Sequence, residues 1–226
     1  MGTTAPVDPR RVLVIGAGPG LGAAVARRFG REGFAVTLAA RSQQNLAGLA
    51  AELRNAGMTV DTVHADAAEP RTFRTALAEL AGSTTPGVVV YNAAVITTDN
   101  ILTAGTDHLL ETYAIDVLGA VIAAQVFTPA MRRARRGTFL ATGGHPGVTP
   151  EPAYASLSLG KAGLRAAVAL MHDELKSDGV HGTSITVAGA IAPGTPLDPD
   201  LIAEAYWRLH TQPADAWSAE TYFDGQ

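Results

Sequence analysis

The sequence predicts an α/β protein: a doubly wound, Rossmann-type parallel sheet of about seven strands with helices on both faces. Short apolar runs alternate with longer stretches of helical spacing along the chain, and the runs are apolar almost throughout rather than at every second residue. Strands buried on both faces, each followed by a helix, build parallel sheets. In addition, a glycine-rich turn, GAGPGLG at Gly16–Gly22, lies directly between the first apolar run and the first helical stretch.

The elements follow in order. RVLVI (Arg11–Ile15) is a buried strand, and AAVARRFGREG after the glycines has helical spacing. FAVTLAA is a second strand, and SQQNLAGLAAELRNAG a second helix closed by Gly57. MTVDTVHAD is a third strand, PRTFRTALAELAG a third helix and GVVVYNAA a fourth strand. A long helix is expected from about Asp107 to Arg135, then the strand GTFLAT, a second long helix from Ala153 to Ser177, and the strand VHGTSITVAG. Pro193, Pro196 and Pro199 read as a surface loop.

Residues 1–10, MGTTAPVDPR, read as a loose polar tail without an apolar signal region, and residues 11–226 as a single domain without linker or repeat. Hydrophobic residues make up 47%, enough for a sizeable core. Cysteine is absent, which removes disulfide scaffolds and thiolate zinc sites, and the six histidines show no metal spacing, so no metal is expected. A net charge of −4 gives no pull toward nucleic acid or anionic membrane. The cationic run RRARR, Arg132–Arg136, reads as a solvated helix C-terminus. No uninterrupted apolar run reaches the ~18 residues of a membrane span, and a cytoplasmic protein is expected.

The first turn points to a nucleotide. Between a strand and a helix, backbone N–H groups and the helix dipole hold a pyrophosphate, and glycines let the backbone come close. A G-x-G-x-x-G reading from Gly16 fails at Leu21; a G-x3-G-x-G reading fits Gly16, Gly20 and Gly22. The second strand ends in Ala40 and Arg41, where an NAD site usually has a carboxylate for the ribose 2′-OH. An arginine pairs instead with a 2′-phosphate, so NADP is expected ahead of NAD.

With these motifs the chain resembles the short-chain dehydrogenase/reductase (SDR) family over about Arg11 to Gln226. HADAA is similar to the family's segment after the third strand, where Asp66 would contact the adenine amino group. YNAA is similar to the family's NNAG, and YFDGQ to its last strand and VDGG. The resemblance assigns the cofactor to Gly16, Gly18, Gly20, Leu21, Gly22, Arg41, Asp66, Ala67, Asn92, Ala93, Ala94 and Lys161, with Gly189 and Ile191 after the sixth strand.

It also implies a catalytic serine, tyrosine, lysine and asparagine. KAGLRAAVALMHDEL runs without a gap from Lys161 to the helix end, so Lys161 takes the lysine position. Four residues earlier, where the family has tyrosine, stands Leu157; the asparagine position is Asp116, and the serine position is Gly143 or Gly144. Tyr154, His145, Thr142 and Asp116 are the polar candidates to act beside Lys161, and Leu157 is expected to face the nicotinamide with Tyr154 near the mouth. In EAYWRLHTQPADAW, Tyr206, Trp207 and Trp217 are aromatic: the region covers substrate in the family, and the other reading is a helix packing on the domain or on a neighbouring subunit. The expected function is an NADP(H)-dependent oxidoreductase moving hydride to or from a small organic substrate with a non-standard site. The alternative is an SDR-like nucleotide-binding protein without redox turnover: a sensor, a scaffold or a non-redox biosynthetic enzyme. The resemblance also implies a homodimer or homotetramer through the two long helices.

Overall fold

The structure, a computed structural model, describes residues 5–225. Seven parallel strands form one sheet in the order β3-β2-β1-β4-β5-β6-β7. They are β1 (Val7–Ile15), β2 (Ala35–Ala40), β3 (Val60–His64), β4 (Thr85–Tyr91), β5 (Gly137–Gly144), β6 (Val180–Val187) and β7 (Glu220–Phe223). The helices are α1 (Leu21–Arg31), α2 (Gln43–Asn55), α3 (Pro70–Ser83), α4 (Thr106–Tyr113), α5 (Gly119–Ala134), α6 (Ala155–Lys176) and α7 (Pro199–Thr211). A parallel sheet with helices on both faces is the architecture the alternating runs predict.

Each central strand feeds two cores. In β1, Val12 and Val14 join Leu38, Val90, Phe29 and Leu209 on the side of α1, α2 and α7. Leu13 and Ile15 join Val89, Phe127, Phe139 and Leu164 on the side of α3, α5 and α6. The period-2 alternation of side chains thus serves two apolar layers, which is why the runs are apolar almost throughout. The chain reverses direction across the sheet at β1, between β2 and β4, and a crevice opens there beyond the strand ends.

Three expectations need correction. The tail was expected to be loose over residues 1–10, but β1 already begins at Val7, which pairs with Thr85, while Asp8 pairs with Pro86. Pro9 and the charges hide this strand start; a register irregularity between Asp8 and Val12 absorbs them, and Gly87 leaves room where a Cβ would stand 2.8 Å from Asp8 O. Met1 to Thr4 lie outside the described residues. Pro199 is not in the loop: it opens α7, where a missing N–H costs nothing, and Asp198 caps the helix. The first long helix runs over Thr106–Ala134 but is broken by a π-helical turn, Ala114–Leu118. Among the described residues this is the one helix long and apolar enough to cross a membrane, and it is mostly buried as a core element.

Candidate functional site

The crevice at the reversal point holds about 240 Å³. Gly16 turns with φ +84°, and a Cβ there would run into the backbone of Ala93, so the ends of β1 and β4 touch only because this residue is glycine. At Gly22 a Cβ would lie 2.5 Å from Gly16 O, which brings α1 hard against the turn. At Gly18 and Gly20 nothing lies within 4 Å of a built Cβ. Gly20 caps α1 without a side-chain acceptor; Ala23 N donates to the Gly18 carbonyl at 3.0 Å, and the N–H groups of Leu21 and Gly22 at the helix start are the ones left for an anion. This cradle is what a dinucleotide pyrophosphate requires.

The wall of the crevice includes Gly16, Gly18, Arg41, Asp66, Ala67, Asn92, Ala93 and Ala94. Arg41 is exposed, its carbonyl is 3.0 Å from His64 Nε2, and Asp66 is fixed by accepting from Ala68 N at 3.0 Å. Ser42 and Asn45 also line it. They are missing from the sequence reading, although Ser42 accepting from Asn45 N is the N-cap pattern that opens α2. Leu21 is buried behind the turn, and Gly189 and Ile191 lie exposed beyond β6, apart from the crevice wall.

The other residues converge where β5, α6 and the π-helical turn meet. Tyr91 Oη donates to the Ile115 carbonyl, and Gly119 leaves space for that hydroxyl, so the helix widens into a π turn. Asp116, on this turn, is fully buried. Its Oδ1 accepts from Val95 N at 2.9 Å, its Oδ2 has no partner, and its carboxylate lies against Gly160 of α6. Lys161 is buried too, and its Nζ donates to the Thr142 carbonyl at 2.7 Å. Burial pushes the Asp116 carboxyl up to about 6, with Lys161 opposing; burial pulls the Lys161 ammonium down, with Asp116 opposing. The two form a coupled pair that burial drives toward sharing one fewer charge.

Gly143 and Gly144 are no longer equivalent. A Cβ on Gly143 would stand 2.6 Å from Thr186 Oγ1, whereas one on Gly144 would stand 3.7 Å from Lys161 Cγ with room to spare. Only Gly144 faces the lysine. Leu157, one turn before Lys161, is buried yet joins neither apolar core. Tyr154 is the half-buried residue that precedes α6. Its backbone bridges Asp99, whose carboxylate accepts from Ser156 N at 3.1 Å and caps the helix in place of a Tyr154 side chain.

The sequence profile of the family described as short chain dehydrogenase matches residues 10–201. The chain belongs to the short-chain dehydrogenase/reductase family. A putative ketoacyl reductase of granaticin polyketide synthesis from Streptomyces violaceoruber is 31% identical, covering 94% of this SDR and 76% of the relative. The very-long-chain 3-oxoacyl-CoA reductase of Neurospora crassa is 30% identical over 74% of this chain, which spans 52% of that relative's length. A metagenomic short-chain oxidoreductase solved in complex with NADP superimposes with TM-score 0.82 at 27% identity, covering 95% of this chain and 96% of that one.

Within this SDR, two polar candidates turn away from Lys161. His145 Nδ1 pairs with Tyr222 Oη of β7 at 2.8 Å. The Thr142 hydroxyl donates to Asn92 Oδ1 at 2.8 Å, so Thr142 offers the lysine only its carbonyl. Of the two readings of the aromatic tail, the structure takes the helix packed on the domain. Tyr206 is fully buried, Trp207 meets Phe29 and Phe34 edge-on, and Trp217 stacks on His181. α7 packs on α1, and its apolar side chains fill a core rather than a substrate cover.

Proposed function

We propose that this SDR is an NADP(H)-dependent oxidoreductase for a small organic substrate whose reacting centre needs little protonation, such as an iminium or a conjugated acceptor. The observation that carries this is the buried Lys161–Asp116 pair with Leu157, not a phenol, one turn before the lysine. When bound, the nicotinamide supplies or accepts the hydride. Gly18 and Gly20 would cradle its pyrophosphate, and Arg41 with Ser42 and Asn45 would receive the 2′-phosphate. Asp66 would meet the adenosine end.

Around the reacting centre, Leu157 presents an apolar wall and excludes water, and Lys161 holds positive charge in a low-dielectric setting, where it favours the negative charge that a conjugated acceptor gains over an iminium, which is already cationic. Asp116 keeps that charge in place through the Coulombic pairing. A missing general acid slows simple ketone reduction by ~10²–10⁴-fold, while an acceptor that spreads or already balances its charge is less affected. We place the chain in the cytoplasm as a homodimer or homotetramer. The apolar depression between α4 and α6, lined by Leu109, Leu110, Tyr113 and Leu159, supports assembly.

The test compares NADPH-driven turnover of simple ketones, 3-oxoacyl thioesters and conjugated or iminium acceptors. Wild type is expected to reduce the last group at least 100-fold faster than the first. Gly144→Ser with Leu157→Tyr is expected to raise ketone reduction, since a side chain at 144 has space beside Lys161 and position 157 lies one turn before it; Gly143→Ser meets Thr186 and destabilises by about 1–3 kcal/mol instead. Fast reduction of simple ketones or 3-oxoacyl thioesters by wild type overturns the substrate class. If that rate is lost in Tyr154→Phe, Tyr154 is the acid.

A further inference from the structure

A hydrogen-bond chain runs behind the crevice wall, and its far end is Tyr206 on α7. The Tyr206 Oη lies 2.5 Å from Thr142 Oγ1, Thr142 Oγ1 lies 2.8 Å from Asn92 Oδ1, and Asn92 Nδ2 lies 3.0 Å from the Gly16 carbonyl. The direction of every link is fixed by counting protons. The Asn92 amide must point its Nδ2 at a carbonyl, which leaves its Oδ1, an acceptor, for Thr142. A threonine hydroxyl has one proton, and it goes to Asn92. Tyr206 is therefore the donor to Thr142. Burial pushes the Tyr206 phenol above its ordinary range, with the Thr142 contact opposing, so it keeps this proton throughout the working pH range.

The chain ends on two parts of the candidate site. Gly16 and Asn92 both line the crevice, and the Gly16 carbonyl is also the atom against which Gly22 of α1 rests. Thr142, the middle link, accepts Lys161 Nζ on its own carbonyl. One residue thus ties the glycine turn to the lysine, and α7 holds that residue through a single phenol. Neither Thr142 nor Tyr206 is part of the crevice wall.

We propose that Tyr206 is a positioning residue for the nucleotide site: through Thr142 it holds Asn92 and the Gly16 turn at the height the nucleotide needs, and it fixes the carbonyl that carries Lys161. This rests on the proposed NADP(H) function and extends it to a helix on the opposite face from α6. A buried tyrosine that merely fills the core would leave the crevice indifferent to its hydroxyl.

The experiment measures NADPH affinity by fluorescence titration, well below the melting temperature, for wild type, Tyr206→Phe, Thr142→Val, the double variant and Leu209→Ala. Leu209 is a buried residue on the same helix with no part in the chain of bonds. Tyr206→Phe is expected to raise the Kd about 3- to 10-fold. Thr142→Val is expected to do at least as much, and the double variant no more than Thr142→Val alone, since both remove the same link. Leu209→Ala is expected to lower the melting temperature and leave the Kd unchanged. A wild-type Kd in Tyr206→Phe overturns the proposal, as does an additive double variant, or a Leu209→Ala that weakens binding as much as Tyr206→Phe. If Tyr206→Phe fails to fold, Thr142→Val reads the same chain from its middle, and a wild-type Kd there overturns it equally. A wild type that binds neither NADPH nor NADH overturns the proposed function and this role together.

Discussion

Two clusters of buried titratable groups sit at opposite ends of the sheet and meet burial differently. At the strand ends that face the crevice, Lys161 and Asp116 are each driven toward neutrality by burial and each held back by the other's charge. At the opposite end, His181, the second residue of β6, makes its direct contacts with neutral groups: its Nδ1 pairs with the Leu209 carbonyl at 3.1 Å and its ring stacks on Trp217. His210 pairs with Thr138 Oγ1 at 2.9 Å and lies among Phe29, Phe34 and Trp207. The charged neighbours there are unfavourable to a proton: Lys176 and His172 oppose His181, and His181 opposes His210. Burial pulls both imidazoles down to about 4. Burial alone does not decide charge; the partner left inside does.

The contrast predicts opposite responses to acid, and this is the largest effect expected. For His181 and His210 the folded value lies near 4 against about 6.5 in an unfolded chain. Between those values the unfolded state binds more protons, so this stability is complete above pH 6.5 and drains away as the pH falls toward 4. For Asp116 the folded value lies near 6 against about 3.9 unfolded. There the folded state binds more protons, and acidification through the same window stabilises it. Urea denaturation from pH 7 to pH 4.5 tests both. In a His181→Asn/His210→Asn variant, which retains a group able to replace each Nδ1 contact, the acid-driven loss should be shallower than in wild type by on the order of 3 kcal/mol. In Asp116→Asn it should be steeper, by about 2 kcal/mol. Parallel pH profiles in all three proteins would break the comparison.

The next effect sharpens the crevice end alone. Lys161→Ala removes the cation and leaves Asp116 buried without a counter-charge. NADPH binding is expected to weaken about 10- to 100-fold, the range for a charge-assisted hydrogen bond. Asp116→Asn keeps the acceptor for Val95 N but abolishes the titration, so any pH dependence of binding or turnover with a midpoint near 6 should vanish in it. A Lys161→Ala protein that binds NADPH like wild type would show that the lysine is structural only, tethered to Thr142.

How much of this the sequence carries differs between the two halves of the cleft. The nucleotide half is local: a strand, a turn and a helix start fix Gly16, Gly18 and Gly22 within one short segment, and Arg41 follows β2 directly. Such positions follow from periodicity and glycine placement. The reaction half is built by long-range register. Whether Gly143 or Gly144 faces Lys161 depends on how β5 lies beside Thr186 of β6 and how α6 crosses it. His145 turns to Tyr222, 77 positions away along the chain, and Thr142 to Tyr206, 64 away. The strand start at Val7 was hidden for a local reason, a proline and charges that a bulge tolerates. The aromatics of α7 could not be told from a substrate cover by composition, since a core-packed helix and a lid present the same residues.

The smallest effect expected concerns Arg41, and it sharpens the contrast between a charge held inside and one left in water. Lys161 acts from a dry site, whereas Arg41 is exposed on the crevice wall beside Ser42 and Asn45 at the start of α2. Its backbone is fixed by the contact between its carbonyl and His64, so the side chain springs from a set point although its tip is solvated. A solvated guanidinium gains less from a 2′-phosphate than a buried one, because water and salt screen the attraction. Arg41→Ala should therefore weaken NADPH about 5- to 10-fold and leave NADH, which has no 2′-phosphate, within twofold of wild type. The wild-type preference should also shrink as salt rises from 50 to 500 mM, while the contribution of Lys161 changes little over that range. Equal weakening of both nucleotides in Arg41→Ala would mean that the side chain supports the adenosine wall generally and does not read the phosphate. A preference for NADPH that survives both the substitution and high salt would shift the reading to Ser42, Asn45 and the N–H groups of α2.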